Sequence, residues 1–184
     1  MREAFRRASA AVVQASQADG PGSWACTLVL ATYWRGRIVV GNVGDSRCYW
    51  LPDDGPARLL STDDSLAQTR IELGVARSVA ESGTHAHAIL KWLGPGSNSC
   101  EPSVQQLRPD ASGWLIVCSD GLWNYASAPE KMRQVVTACL HDLTGGDTDP
   151  EAWMLADRLT AWANARGGHD NVSVGAVSVR PSGR

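Results

Sequence analysis

The sequence predicts an α+β domain in which antiparallel sheets carry helices on their outer faces. Three observations point there. Strand-length runs cluster early, amphipathic helices follow late, and a strand closes the chain, so the alternation of a parallel βα repeat is missing. The run Trp114-Leu115-Ile116-Val117-Cys118 is apolar without interruption and partly β-branched, as suits a buried strand, and it stops at Asp120-Gly121. A second run, Val172 to Val179, begins directly after His169-Asp170-Asn171. Each of these strands has a carboxylate at its mouth, and two acids held at strand ends can share a hard divalent cation.

In chain order, Ala4, Phe5, Ala8, Ala11, Val12, Ala15 and Ala18 recur at helical steps, so residues 2 to 18 read as a helix stopped by Asp19-Gly20-Pro21-Gly22-Ser23. Leu28 to Trp34 reads as a strand, Arg35-Gly36 as a hairpin turn, and Ile38-Val39-Val40 as the start of the return strand. Gly41-Asn42-Val43-Gly44-Asp45-Ser46-Arg47 follows, then a third strand at Cys48 to Leu51. Short turns between these strands predict an antiparallel meander. Arg58-Leu59-Leu60 reads as a short strand, and Leu66 to Leu73 as a short helix ending at Gly74. His85 to Leu93 has a helical reading, broken by Gly94-Pro95-Gly96-Ser97, and Ser103 to Leu107 reads as a weak strand.

Beyond Asp120, which reads as a turn, two helices are expected. Ser127-Ala128-Pro129-Glu130 has capping-box spacing before the stripe Met132, Val135, Val136, Cys139 and Leu140. Asp149 is the expected cap and Pro150 the expected first-turn proline of a helix with the stripe Ala152, Leu155, Ala156, Leu159, Trp162 and Ala163. Arg166-Gly167-Gly168-His169 ends that helix and delivers Asp170 to the last strand.

The 184 residues read as one domain spanning 1–184. An apolar fraction of 43% supports a core, and a net charge of -2 leaves no basic footprint for nucleic acid. No apolar run is long enough for a membrane span. The five cysteines, Cys26, Cys48, Cys100, Cys118 and Cys139, are scattered without CxxC spacing, which reads as buried free thiols in a reducing, cytoplasmic setting. His85 and His87 lie two apart with no third ligand in evidence, and read as solvated or packing side chains ahead of a zinc pair.

The words Gly41-Asn42-Val43-Gly44-Asp45-Ser46-Arg47, Thr62-Asp63-Asp64-Ser65, Leu93-Gly94, Cys118-Ser119-Asp120-Gly121-Leu122-Trp123 and Asp170-Asn171-Val172-Ser173-Val174, in this order, resemble the metal-dependent serine/threonine protein phosphatases of the type 2C class, the PPM family. The double acid Asp63-Asp64 resembles the bacterial branch. The resemblance implies a four-layer αββα sandwich of two antiparallel sheets with outer helices. It implies a binuclear Mn²⁺ or Mg²⁺ centre, with Asp120 and Asp170 as metal ligands and Asp63 as ligand of a third, weaker ion. Asp64 beside it is an alternative for that role. Asp45 is read as structural. The implied chemistry is hydrolysis of phosphoserine and phosphothreonine on proteins by a metal-bound hydroxide, with no covalent intermediate. Partners would be phosphoprotein substrates, and a serine/threonine kinase or its targets, for a monomer without nucleic acid.

Family members carry two strands and a helix ahead of the first helix seen here, with a phosphate-gripping arginine and a DG-x-GGH word. Neither is found in the chain, and Gly167-Gly168-His169 has similar letters in another place. The sequence is therefore read as lacking the family's first strands and helix, with weak or no activity alone. The alternative is a non-catalytic PPM-like binding or regulatory module.

Overall fold

A computed structural model describes residues 1–18, 24–83, 85–144 and 150–181. Helix α1 (Arg2–Ala18) precedes β1 (Leu28–Trp34), β2 (Arg37–Val43), β3 (Arg47–Pro52) and β4 (Arg58–Leu59). Then come α2 (Leu66–Glu72), α3 (Arg77–Glu81), β5 (Ser103–Leu107) and β6 (Gly113–Cys118). Helices α4 (Asp120–Trp123), α5 (Pro129–Thr144) and α6 (Ala152–Asn164) lead to β7 (Val174–Val179). The α+β class holds, with strands β1-β2-β5 in one sheet and β4-β3-β6-β7 in the other. The expected stop at 19–23 and the expected Asp149 cap lie outside the described residues.

The expected meander is overturned. β1 and β2 form a hairpin across Arg35 (φ 49) and Gly36 (φ 71), a left-handed pair that matches strand twist. β3, however, pairs with β4 and β6 in the other sheet. The departure happens at Gly44, whose φ of 98 and close approach to the Thr27 side chain leave no room for a Cβ. Ser46 then bonds Thr27 across 2.9 Å between hydroxyls. Turn chemistry at Gly44-Asp45-Ser46 thus outweighs the shortness of the connection.

The helical reading of His85 to Leu93 is also wrong. Leu66 N–H donates to Ala88 O, Ala67 N–H to Ala86 O, and Leu90 N–H to Asp64 O. These non-local bonds use the backbone groups that a helix would have paired internally. His85 itself sits at φ 80. The expected helix at Leu66 does form, with the Ser65 hydroxyl accepting from Gln68 N–H at 3.2 Å.

The chain divides into two compact units: Met1–Leu30, Gly41–Ser46 and Ser61–Gln105 in the first, and Ala31–Val40, Arg47–Leu60 and Gln106–Arg184 in the second. In the first, Phe5, Val43 and Leu93 form one small cluster, and Ala67, Ala80 and Ala86 another. In the second, β3 and β6 pack against α4, α5 and α6 through Tyr49, Ile116, Leu122, Trp123, Met132, Leu155 and Leu159. All three pairings in that unit's four-stranded sheet are antiparallel.

Two helix starts differ from expectation. Glu130 turns outward, accepting from Ala57 N–H at 2.9 Å and pairing with Arg133 at 3.2 Å. Helix α6 has Glu151 at its N-cap position, without a side-chain capping bond, and Pro150 lies ahead of the helix. No helix among the described residues is long and apolar enough to cross a membrane.

Candidate metal centre

Asp120 does not sit in a turn. It is the first residue of α4, a single helical turn with Ser119 as its N-cap in extended conformation. The Ser119 side chain leaves the helix uncapped and reaches across to the approach of β7 instead. Its hydroxyl donates to Asn171 O at 3.0 Å and accepts from Ser173 N–H at 3.0 Å. Ser119 N–H donates to Ser173 O, also at 3.0 Å. The β6–β7 register, which ends with Cys118 opposite Val174, therefore continues into the acid-bearing segments.

Gly121 completes the arrangement from the other side of Asp120. A Cβ at this position would lie 2.5 Å from Asn171 O and 2.9 Å from its carbonyl carbon. Such an approach to a backbone carbonyl excludes any side chain. Glycine is thus required here by close contact. Ser119 and Gly121 flank Asp120 and both touch the segment that follows Asp170. Asp170 accepts from Asn171 N–H at 2.7 Å and is exposed, while Asp120 is half-buried.

The two acids read from sequence as one site are therefore carried on adjoining backbone segments. The donor chemistry fits a hard divalent cation: Mg²⁺-type ions bind through one or two carboxylates and keep several waters, often adding substrate phosphate oxygens. Among the described residues no group of three or more His, Cys, Asp or Glu gathers where it could hold a metal ion. The two carboxylates would leave most of the coordination shell to water and to a ligand.

Asp63 belongs to the first unit and is buried there. Its segment hangs on Asn42, whose amide donates to Thr62 O at 2.8 Å and to Gly44 O at 3.2 Å and accepts from Thr62 N–H at 3.3 Å. Ser103 also donates to Asn42 Oδ1. The Gly-Asn-Val-Gly word is thus the cradle of the Thr-Asp-Asp word. Asp64 is committed within this cradle: one oxygen accepts from Gly44 N–H at 3.0 Å and the other pairs with Lys91 Nζ at 2.9 Å. This separates two neighbouring acids that sequence left as alternatives. Asp64→Ala should leave the Gly44 N–H without its acceptor and cost about 2 kcal/mol, read as a shift in the urea unfolding midpoint.

His85 and His87 are exposed. None of the five cysteines is in a disulfide: Cys48, Cys118 and Cys139 are buried, Cys100 is partly buried, and Cys26 is exposed. Burial pushes the Cys48 thiol up, with Cys118 acting in the same direction, and burial likewise raises Cys139. Neither is tuned to be a thiolate nucleophile. Sequence reasoning missed Ser119 and Gly121 as the coupling between the two acids. Both flank Asp120 within the same word, but their contacts with Asn171 and Ser173 follow from the β6–β7 register.

No family model matches the chain. A serine/threonine phosphatase stp from Listeria innocua is 30% identical over 149 residues, covering 80% of this chain and 54% of that protein. The chain thus spans about half the length of the curated relatives it matches. Among solved structures, the serine/threonine phosphatase of S. agalactiae superposes with a TM-score of 0.77 at 24% identity, over 98% of this chain and 69% of that one. The catalytic domain of the serine/threonine phosphatase PstP in complex with two manganese ions gives a TM-score of 0.68 at 23% identity, over 94% and 67%. Shared fold, shared words and these relatives support assignment of the chain to the PPM, or type 2C, family of serine/threonine protein phosphatases.

Proposed function

We propose that Asp120 and Asp170 hold a divalent cation, Mn²⁺ or Mg²⁺, as part of a binuclear centre that serves hydrolysis of phosphoserine and phosphothreonine on proteins. The observation that carries this is the Ser119 bridge to Asn171 and Ser173, with Gly121 against Asn171. It locks the two acid-bearing segments side by side in a way that a pair of unrelated turn formers would not need. An ion there supplies Lewis acidity, making a water more acidic and screening the charge of a phosphomonoester. The chain's own residues hold and orient: Ser119 fixes the spacing, Gly121 permits it, and the carboxylates supply hard oxygen donors. Asp63, in its Asn42-built cradle, is proposed as ligand to a further ion. Substrates would be phosphoproteins, including those of serine/threonine kinases, and the PstP complex with two manganese ions supports the choice of metal.

With only two carboxylates contributed by this pair, Mn²⁺ should bind weakly and keep most of its waters. Titration of the 184-residue chain, followed by Mn²⁺ electron paramagnetic resonance, tests the reading. Asp120→Ala and Asp170→Ala should each weaken binding by at least about tenfold, and any slow hydrolysis of p-nitrophenyl phosphate should vanish with it. Equal affinity in the parent and both variants would remove the proposal. Specific binding without any hydrolysis would favour the non-catalytic module instead.

A further inference from the structure

Arg47 lies in β3 directly opposite Cys118, two residues before Asp120. Its side chain is 1% exposed, a charged group taken almost wholly out of water. Burying a guanidinium is costly unless its surroundings compensate, and a hydrophobic residue would fill the same space without that cost. The surroundings here are specific. The guanidinium carbon sits 3.6 Å above the centre of the Trp123 ring. Nη1 donates to the Ser127 hydroxyl at 2.9 Å and approaches Tyr49 OH at 3.5 Å. Tyr49 OH in turn donates to Ser127 O at 2.9 Å.

These contacts grip α4 from two directions. Trp123 is the last residue of the helical turn that Asp120 begins, and Ser127 lies in the link from α4 to α5. A helix of one turn has little hold on its own geometry, because its nucleus is costly and few of its backbone groups pair internally. Its direction must come from outside. The Ser119 bridge anchors the N-terminal end, and the plane of the Arg47 guanidinium anchors the C-terminal end. We infer that Arg47 is a positioning residue that sets the orientation of α4 and so aims the Asp120 carboxylate. This inference rests on the proposed role of Asp120 for its functional meaning, but the geometric claim stands apart from it.

Lysine keeps the charge yet cannot stack a plane on the indole or reach two partners with a rigid fork. Trp123→Phe keeps the packing and weakens the attraction of the ring for the cation. Both variants should be studied in the full chain without metal, by the carboxyl ¹³C resonance of Asp120 and by amide exchange of residues 120–123. Arg47→Lys should move the Asp120 resonance and speed exchange in α4 by at least about tenfold, with Trp123→Phe in between. Leu159→Ala, which weakens the core elsewhere, should lower the melting temperature while leaving the Asp120 resonance in place. In a Mn²⁺ titration, Arg47→Lys should lose about tenfold in affinity. An unmoved Asp120 resonance and unchanged α4 exchange in both Arg47→Lys and Trp123→Phe would overturn the inference. If Asp120 moves but Mn²⁺ binds neither the parent nor the variant, Arg47 positions Asp120 and the metal-ligand reading is what fails. Should Arg47→Lys not fold, Trp123→Phe carries the same readout.

Discussion

Gly121→Ala should destabilise the protein by about 3 kcal/mol and weaken Mn²⁺ binding at the same time. The added methyl would sit 2.5 Å from Asn171 O, and that oxygen already accepts from Ser119. A flexible side chain would swing aside, but a backbone carbonyl held at both ends cannot. Either α4 is pushed off the approach to β7, or the strand entry shifts and breaks the Ser119 bonds to Asn171 and Ser173. Both routes part Asp120 from Asp170. For a chain of this size the cost corresponds to a fall of roughly 6–12 °C in melting temperature. Thermal unfolding and a Mn²⁺ titration on the same sample check both halves. A variant with unchanged melting temperature and affinity would show that the contact relaxes freely. Gly36 gives the contrast: its hairpin position has open space around a would-be Cβ, so the penalty of Gly36→Ala is confined to its positive φ.

The same contact shows why some of this fold could be read directly from residues and some could not. Strands of one uninterrupted apolar character, such as Trp114 to Cys118, announced themselves, because burial on both faces leaves no polar position to confuse the pattern. The long stripes of α1, α5 and α6 did so as well, since each repeats over several turns. Sheet membership was hidden. β2 and β3 are joined by only three residues, yet they belong to different sheets, and the cause is the left-handed backbone of Gly44 packed on Thr27. The segment from His85 to Leu93 misled for a related reason: its backbone bonds to residues 64–67, far away in sequence. The acids Asp120 and Asp170 could be picked out from the words around them. The Ser119 bridge between them is a register property of β6 and β7, which no local pattern encodes. The division of labour between Asp63 and Asp64 was closed to sequence because it depends on Lys91 and on the Gly44 N–H.

Leu159→Ala should remove a comparable or larger stability, about 3–5 kcal/mol, and leave the metal pair alone. Leu159 is fully buried with Leu155 one turn earlier, and both enter the cluster that holds α6 against β7 and β6. Truncation deletes three carbons from a packed interior and leaves a cavity that an antiparallel sheet cannot collapse into, so the cavity cost adds to the transfer cost. A melting temperature lower by roughly 6–20 °C is expected. Below that temperature, however, Ser119 still bonds Asn171 and Ser173, and Gly121 still meets Asn171. Mn²⁺ affinity measured well under the melting point should therefore match the parent. Loss of affinity in folded Leu159→Ala would mean that the site's geometry depends on how α6 packs against β7 and not on the β6–β7 register. The pairing of this variant with Gly121→Ala separates two ways of harming the same protein: one empties space beneath the sheet, and the other forces apart the two segments that carry the acids.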